Sequence, residues 1–140
     1  MKRSIAREHI FKILYEMQFE PDTDIVNMVD TYLENFVQEE LVTPQDYAFI
    51  LGEVKGVCQA LSSLDEELSE ALIGWKLERL SKVDLAILRL ALYEIRCVPE
   101  IPSSVSINEA VELAKKYSPQ SAGRAFINGV LGKLTPKESV

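Results

Sequence analysis

Two arginines four residues apart are the first residues of the chain whose type and spacing could do chemistry. Arg3 and Arg7 share one face of any helix that contains them, and Lys2 precedes them. Arginine guanidinium groups hold phosphate oxygens in pairs, and the amides at a helix N-terminus attract anions. Positive side chains at that end of a helix oppose its dipole, so a bound anion would offset their cost. The pattern favours a phosphate-binding face.

An aromatic residue extends the same face. Tyr15 lies two helical turns beyond Arg7. A tyrosine exposed beside basic residues is typical of single-stranded RNA binding, because bases stack on its ring. The alternative is a solvated basic terminus with Tyr15 in the core. The residues alone leave both interpretations open.

Residues for catalysis are poorly represented. His9 is the single histidine, which disfavours a histidine-based metal site. A Ser/His/Asp triad could use only the His9 ring as its base. The six glycines form neither GxGxxG nor a GxxxxGK phosphate loop. Cys58 and Cys97 lack Cys-x-x-Cys spacing, which favours reduced thiols. We therefore expect no enzyme activity, no metal and no cofactor.

Charge is unevenly distributed along the 140 residues, although the formal net charge is −7. Residues 1–12 hold four basic side chains against one acidic one, whereas residues 13–54 hold ten acidic side chains and no Lys or Arg. Residues 113–140 are basic again. Such segregation indicates separate surfaces for partners of opposite charge.

Composition and apolar spacing predict an all-α protein of about seven helices. Hydrophobic residues make up 47% of the chain, enough to bury a core, and no alternating strand pattern occurs. Helical periodicity predicts helices at about Ser4–Phe19 and Asp24–Glu39, the second with Phe36 in its apolar stripe. Thr43 before Pro44 predicts the start of another helix.

One helix is expected at the centre of the core. Ser81 supplies an N-cap to "VDLAILRLALYEIRC", which is apolar on nearly every face. No run of about 18 apolar residues exists, which excludes a membrane span, and the start lacks the apolar stretch of a secretory signal. We expect a cytoplasmic protein.

Four segments in a fixed order carry a family resemblance. They are "AREHIFKILYEMQF", "RLSKVDLAILRLALYEI", "IPSSVSINEAVELAKKY" and "FINGVLGKL", and they span nearly the whole chain. In that order they resemble the NusB family of transcription antitermination factors. The resemblance implies an all-α fold in a single domain, 1–140, with two helical halves at about 1–75 and 76–136.

The function implied by the resemblance is non-enzymatic. Members of this family bind boxA-type RNA of nascent ribosomal RNA transcripts together with NusE, a ribosomal protein of the small subunit. They deliver that complex to elongating RNA polymerase. Some members self-associate when free, so a homodimer is a further possibility. The acidic stretch would suit a basic ribosomal protein through charge complementarity.

The resemblance also implies site residues. Ser4 stands where some relatives carry a further arginine, which would remove one phosphate contact. The implied RNA-binding residues are Lys2, Arg3, Arg7, Tyr15, Arg124, Phe126 and Asn128. Phe126 could instead pack in the core, and Asn128 could make a buried hydrogen bond.

The implied NusE surface lies at the start of the central helix. Its polar positions are Glu78, Arg79 and Asp84, each of which could instead be a charge at a helix end, and Asp84 also suits the cap formed with Ser81. Two other functions compete: a protein-interaction adaptor with weak or no RNA binding, and a stand-alone relative of the RNA-binding domain of ribosomal RNA methyltransferases. The second needs a following α/β domain, which this sequence lacks.

Overall fold

The computed structural model describes residues 1–38 and 41–135. Within these ranges the chain forms seven α-helices and no strand, which confirms the predicted fold class. The helices are α1 (Arg3–Met17), α2 (Ile25–Phe36), α3 (Pro44–Gln59), α4 (Leu61–Ala71), α5 (Lys82–Cys97), α6 (Ser103–Tyr117) and α7 (Gly123–Leu134), with a 3₁₀ turn at Leu77–Arg79.

The helices belong to two compact units, Met1–Gln59 and Ala60–Val140. The division falls before α4, ahead of the boundary expected near residue 75. The reason is packing, because α4 lies against α5 and α7. The first unit therefore contains α1 to α3, and the second contains α4 to α7.

In the first unit, α1 packs against both α2 and α3. Ile10, Ile13, Val29 and Ile50 are fully buried between them. Asp24 caps α2 by accepting a hydrogen bond of 2.9 Å from the Asn27 backbone. These contacts follow from the apolar stripes that the sequence places on each helix.

The predicted stripe of α2 differs from the structure at its end. Phe36 is 64% exposed, because it is the last residue of α2 and its ring rests only at the edge of the core, 5.0 Å from the Tyr32 ring between centroids. The helix ends there, and the predicted end, Glu39, lies outside the described residues. Phe36 therefore continues the predicted apolar stripe of α2 but lies outside the core.

The start of α3 confirms a sequence prediction. Thr43 Oγ1 accepts a hydrogen bond of 3.0 Å from the Asp46 backbone N–H. In return the Thr43 backbone N–H donates to Asp46 Oδ2 at 3.1 Å. This reciprocal pair is a capping box, and Pro44 occupies the first helical position.

In the second unit, α5 is the central helix and packs against α4, α6 and α7. Its buried residues include Ala86, Leu88 and Leu92, which are fully inaccessible to solvent. Ser81 caps it, since the Asp84 backbone N–H donates to Ser81 Oγ at 3.0 Å. The structure therefore confirms the helix that the sequence places at the centre of the core.

Ion pairs join the rim of α5 to its neighbours. Arg89 binds both carboxylate oxygens of Asp65 on α4, at 2.9 and 2.8 Å. Arg96 of α5 donates to Glu67 of α4 at 2.8 Å and to the Leu134 carbonyl of α7 at 2.6 Å.

Among the described residues, none of the helices is long and apolar enough to cross a membrane.

Candidate nucleic-acid and partner interfaces

The basic start of α1 lies over an aromatic ring of α3. The Arg3 guanidinium carbon is 3.9 Å from the centroid of the Phe49 ring, and the Arg7 guanidinium carbon is 5.8 Å from it. The two arginines therefore share a face, as their spacing predicts. Phe49 contributes a surface to this face that sequence reasoning missed, because its partners lie more than forty residues away along the chain.

Solvent reaches the two arginines very differently. Lys2 and Arg3 are exposed, whereas Arg7 is 6% exposed. Arg7 lies one turn further into α1, where that helix packs against α3. The part of the face that an external phosphate can reach is therefore formed by Lys2 and Arg3.

The amino terminus is also tied to α3. The Met1 ammonium lies 3.5 Å from Asp46 Oδ2. The pKa of the Asp46 carboxyl is below its ordinary value, first because the Thr43 backbone N–H donates to it and further because the Met1 ammonium lies beside it; burial opposes both. The start of α1 is therefore held at the capped start of α3.

Tyr15 is half-buried at the other end of α1. Its ring makes an edge contact with Phe19, with centroids 5.3 Å apart, and Phe19 is 58% exposed. Tyr15 stands twelve residues beyond Arg3, or about 18 Å along the helix axis. A single strand that contacts both would have to run along α1.

The only histidine has a structural partner in α2. His9 Nδ1 lies 2.7 Å from the Tyr32 hydroxyl, and the two rings meet edge to face. Partial burial lowers the pKa of His9 below its ordinary value, and the nearby Lys12 adds to this shift. His9 is therefore half-buried between two helices.

The predicted RNA-binding residues of α7 differ in exposure. Arg124 and Asn128 are exposed and lie four residues apart on one face. The exposure of Asn128 among the described residues disfavours the alternative of a buried hydrogen-bonding role. Phe126 is half-buried, while its neighbours Ile127 and Val130 are in the core.

A cavity of about 180 Å³ lies in the second unit beside Phe126. It is lined by Trp75, Arg79, Leu80, Ser81, Asp84, Gln120, Ala122, Gly123 and Phe126. The structure thus groups Phe126 with Arg79 and Asp84, two of the three predicted partner-binding residues. The third, Glu78, is exposed on the 3₁₀ turn.

The acidic wall of this cavity is an incompletely satisfied carboxylate. Asp84 is 4% exposed, and its Oδ1 has no hydrogen-bond partner among the described residues. A buried acceptor without a donor is costly, so an incoming N–H group would offset that cost. An arriving basic side chain suits this wall.

An exposed tryptophan forms the outer rim of the cavity. Trp75 is 59% exposed and follows Gly74, whose φ of 79° falls in the left-handed region that favours glycine. Exposed tryptophan side chains are typical of binding surfaces. The Gly74-Trp75 pair was the sequence signal for this rim, and sequence reasoning missed it.

Comparison with known proteins identifies the family. Residues 4–136 match the NusB family. A transcription antitermination protein NusB from Agathobacter rectalis is 42% identical over 136 residues, which cover 96% of this chain and 99% of the relative. The chain belongs to the NusB family.

Solved structures of NusB proteins show the same fold. NusB from T. maritima superposes with a TM-score of 0.86 at 31% identity, covering 96% of this chain and 90% of the other. A chain from the crystal structure of antitermination factors NusB and NusE in complex with dsRNA superposes with a TM-score of 0.81 at 23% identity, covering 94% of each. At 23% identity, the second likeness shows a shared fold and nothing more.

The ten predicted site residues of this NusB-family chain fall into two sets. Lys2, Arg3, Arg7 and Tyr15 belong to the first unit, and the other six belong to the second. Within the described part of the chain, no three His, Cys, Asp or Glu residues are grouped so that they could hold a metal ion.

Proposed function

We propose that this NusB-family chain acts in transcription antitermination as an RNA-binding protein. Its ligand is boxA-type RNA of nascent ribosomal RNA transcripts, which it binds together with NusE. The resulting complex joins elongating RNA polymerase in the cytoplasm. The role of the chain is binding, without a catalytic step.

The observation that carries this proposal is the exposed Arg3 guanidinium on the Phe49 ring, next to Lys2. This pair presents fixed positive charge and N–H donors on a chain whose net charge is −7. Phosphate is the anion that a guanidinium fork fits. Because the rest of this acidic protein repels anions, an anionic partner should bind where the positive charge is concentrated.

Aromatic side chains supply the second element of RNA binding. Tyr15 and Phe19 form an accessible pair at the far end of α1. Unpaired bases stack on such rings, and each stacked base contributes about 1–3 kcal/mol. Within the first unit we place the RNA along α1 from Arg3 to Tyr15. Arg124 and Asn128 of α7 are the proposed RNA contacts of the second unit.

The cavity beside Asp84 supports a protein partner. A basic side chain entering it would meet the rings of Trp75 and Phe126 and the Oδ1 atom of Asp84, which has no hydrogen-bond partner in the described part of the chain. Ribosomal proteins are rich in such side chains, and NusE is one. We assign Arg79, Glu78 and Asp84 to the NusE surface, and Phe126 joins them on grounds of position.

The test is a titration of fluorescent RNA followed by anisotropy. The wild-type chain is added to a boxA RNA and to a scrambled RNA of equal length, with and without NusE, across a salt series. We expect preference for boxA, tighter binding with NusE, and affinity that falls as salt rises. Equal binding of both RNAs in the presence of NusE would contradict the proposal.

Light scattering after gel filtration separates the competing functions. A stable complex with NusE that recruits no boxA RNA would identify a protein-interaction adaptor instead. RNA binding without any NusE complex would favour a relative of the methyltransferase RNA-binding domain. The same measurement on the protein alone shows whether it is a monomer or a homodimer.

A further inference from the structure

The ring of Phe49 serves both arginines of the basic face. It lies 3.9 Å from the Arg3 guanidinium carbon and 5.8 Å from that of Arg7. Phe49 itself is half-buried on α3. One of its arginine partners is buried and the other is exposed, so Phe49 lies at the boundary between the core and the basic face.

The contact leaves the hydrogen-bonding groups of Arg3 available. A guanidinium carries its five N–H donors at its rim, in one plane. Its central carbon lies 3.9 Å from the Phe49 ring centroid, a distance at which the guanidinium contacts the aromatic face. Within the described ranges Arg3 makes no hydrogen bond and no ion pair. The ring therefore holds the side chain without using the donors that a phosphate needs.

A second tether from α3 acts on the same segment. Asp46, which is fixed by the capping box, lies 3.5 Å from the Met1 ammonium. Asp46 and Phe49 are three residues apart and so share a face of α3. This face therefore contacts the first three residues of the chain at two points.

We propose that Phe49 is a positioning residue for RNA binding, which acts by holding the Arg3 guanidinium over its ring in the orientation that meets a phosphate. The proposal rests on the proposed function of the basic face. A free arginine side chain loses much rotamer freedom when it is immobilised at an interface. A side chain that is already held loses less, so the same contact gives tighter binding.

Three variants separate positioning from simple packing. Phe49→Leu keeps an apolar side chain but removes the aromatic face, Phe49→Tyr keeps the face, and Phe36→Leu makes the same change on an aromatic residue of α2. With NusE present, Phe49→Leu should weaken boxA RNA binding by up to about fivefold, from the size of an exposed cation–π contact. Phe49→Tyr and Phe36→Leu should bind like the wild type.

A double-mutant cycle tests whether Phe49 acts through Arg3. In an Arg3→Met background, Phe49→Leu should cause no further loss of RNA affinity. An equal loss in both backgrounds would overturn the proposal. Arg3→Lys provides a variant that does not disturb the core, because residue 3 is exposed. It keeps the charge and loses the planar group, and it should bind RNA more weakly with an unchanged salt slope.

A measurement without RNA distinguishes the two ways of failing. Protons that lie over an aromatic face are shifted upfield in NMR spectra, so the Arg3 side-chain protons should be shifted in the free wild type and not in Phe49→Leu. If the shift is seen and Phe49→Leu retains full RNA affinity, the positioning role is wrong and the proposed function stands. If the wild type itself does not bind boxA RNA, the proposed function fails, and the positioning role fails with it.

Discussion

Ser106 and Glu94 meet in the core of the second unit, where the Ser106 hydroxyl donates to Glu94 Oε1 at 2.9 Å. Their exposed fractions are 2% and 1%. The bond joins α6 to α5, the two helices between which this polar pair lies. A buried carboxylate needs such donors, because it has lost its contact with water.

Removing the hydroxyl should therefore destabilise the fold. Ser106→Ala leaves the Glu94 carboxylate short of one donor, and we expect the free energy of unfolding to fall by about 1–3 kcal/mol. Urea denaturation followed by circular dichroism measures it. Ser104→Ala, on the exposed side of the same helix, is the matched control. Equal effects of the two changes would show that the buried bond contributes nothing.

A cavity in the central helix should cost more. Leu88 is fully buried on α5, and Leu88→Ala removes its contacts with the surrounding helices. We expect a loss of about 2–5 kcal/mol of unfolding free energy. The control is Ile73→Ala, because Ile73 is 78% exposed. A loss below about 1 kcal/mol for Leu88→Ala would contradict the central position of α5.

The parts of the fold that sequence reasoning predicted are those set by local chemistry. Thr43 and Ser81 bind backbone amides three residues ahead, so their capping roles are determined within one helical turn. The apolar pattern of α5 likewise specifies its burial without knowledge of its neighbours. Phe36 and Arg7 were different, because the exposure of Phe36 depends on where α2 ends and the burial of Arg7 depends on the packing of α1 against α3.

The candidate interfaces show the same distinction. The pairing of Arg3 with Arg7 follows from helical spacing, but the ring beneath them comes from α3. The cavity brings Trp75 and Asp84 together with Phe126, which lies on a different helix and was assigned to RNA. Contacts between segments this far apart leave no periodic pattern in one sequence.

Stability should depend on pH through His9. Because burial lowers the pKa of His9 in the folded protein, the unfolded chain binds a proton more readily near and below the ordinary value. The stabilising contribution is therefore present above the ordinary pKa and is lost as pH falls. We expect unfolding free energy to decrease between about pH 7.5 and pH 5.5.

His9→Gln should reduce this decrease, since the titrating group is gone. The measurement is urea denaturation of both proteins at the two pH values. Tyr32→Phe is a second comparison, because it removes the hydroxyl that lies 2.7 Å from Nδ1 and keeps the histidine. An identical pH dependence in wild type and His9→Gln would exclude His9 as its source.

Neutralising the acidic wall of the cavity should weaken NusE binding. Asp84→Asn keeps the shape of the side chain and the backbone cap to Ser81, but removes the negative charge. We expect NusE affinity to fall by about tenfold or more, as for the loss of a charged hydrogen bond. Calorimetry measures it, with Glu112→Gln, at an exposed position of α6 that has no part in the proposed NusE surface, as the control.

The stability of Asp84→Asn should fall by no more than about 1 kcal/mol, the size of the lost interaction with the dipole of α5, because no described donor pairs with the Oδ1 atom. This result would separate a binding role from a structural one. Unchanged NusE affinity in a folded Asp84→Asn protein would place the interface elsewhere. An equal loss in Glu112→Gln would show that net charge, and not the cavity, determines NusE affinity.

The two arginines of the basic face should differ in what they do when each is replaced. Arg3 is exposed, so Arg3→Ala should weaken boxA RNA binding and reduce the slope of log affinity against log salt by about one, the value for one lost phosphate contact. Arg7 is buried over Phe49, so Arg7→Ala should mainly lower the free energy of unfolding. Lys115→Ala, at an exposed position on α6, removes one charge elsewhere.

Anisotropy across a salt series, with NusE present throughout, provides the comparison. If the basic face binds phosphate directly, Arg3→Ala must cause a larger loss of RNA affinity and a larger change in salt slope than Lys115→Ala does. Equal effects of the two variants would show that the basic face contributes to RNA affinity only through the net charge of the protein. A different result is that Arg7→Ala lowers the salt slope by about one and is as stable as the wild type. In that case the phosphate contacts Arg7, and the RNA lies closer to α3 than the burial of Arg7 allows in the free protein.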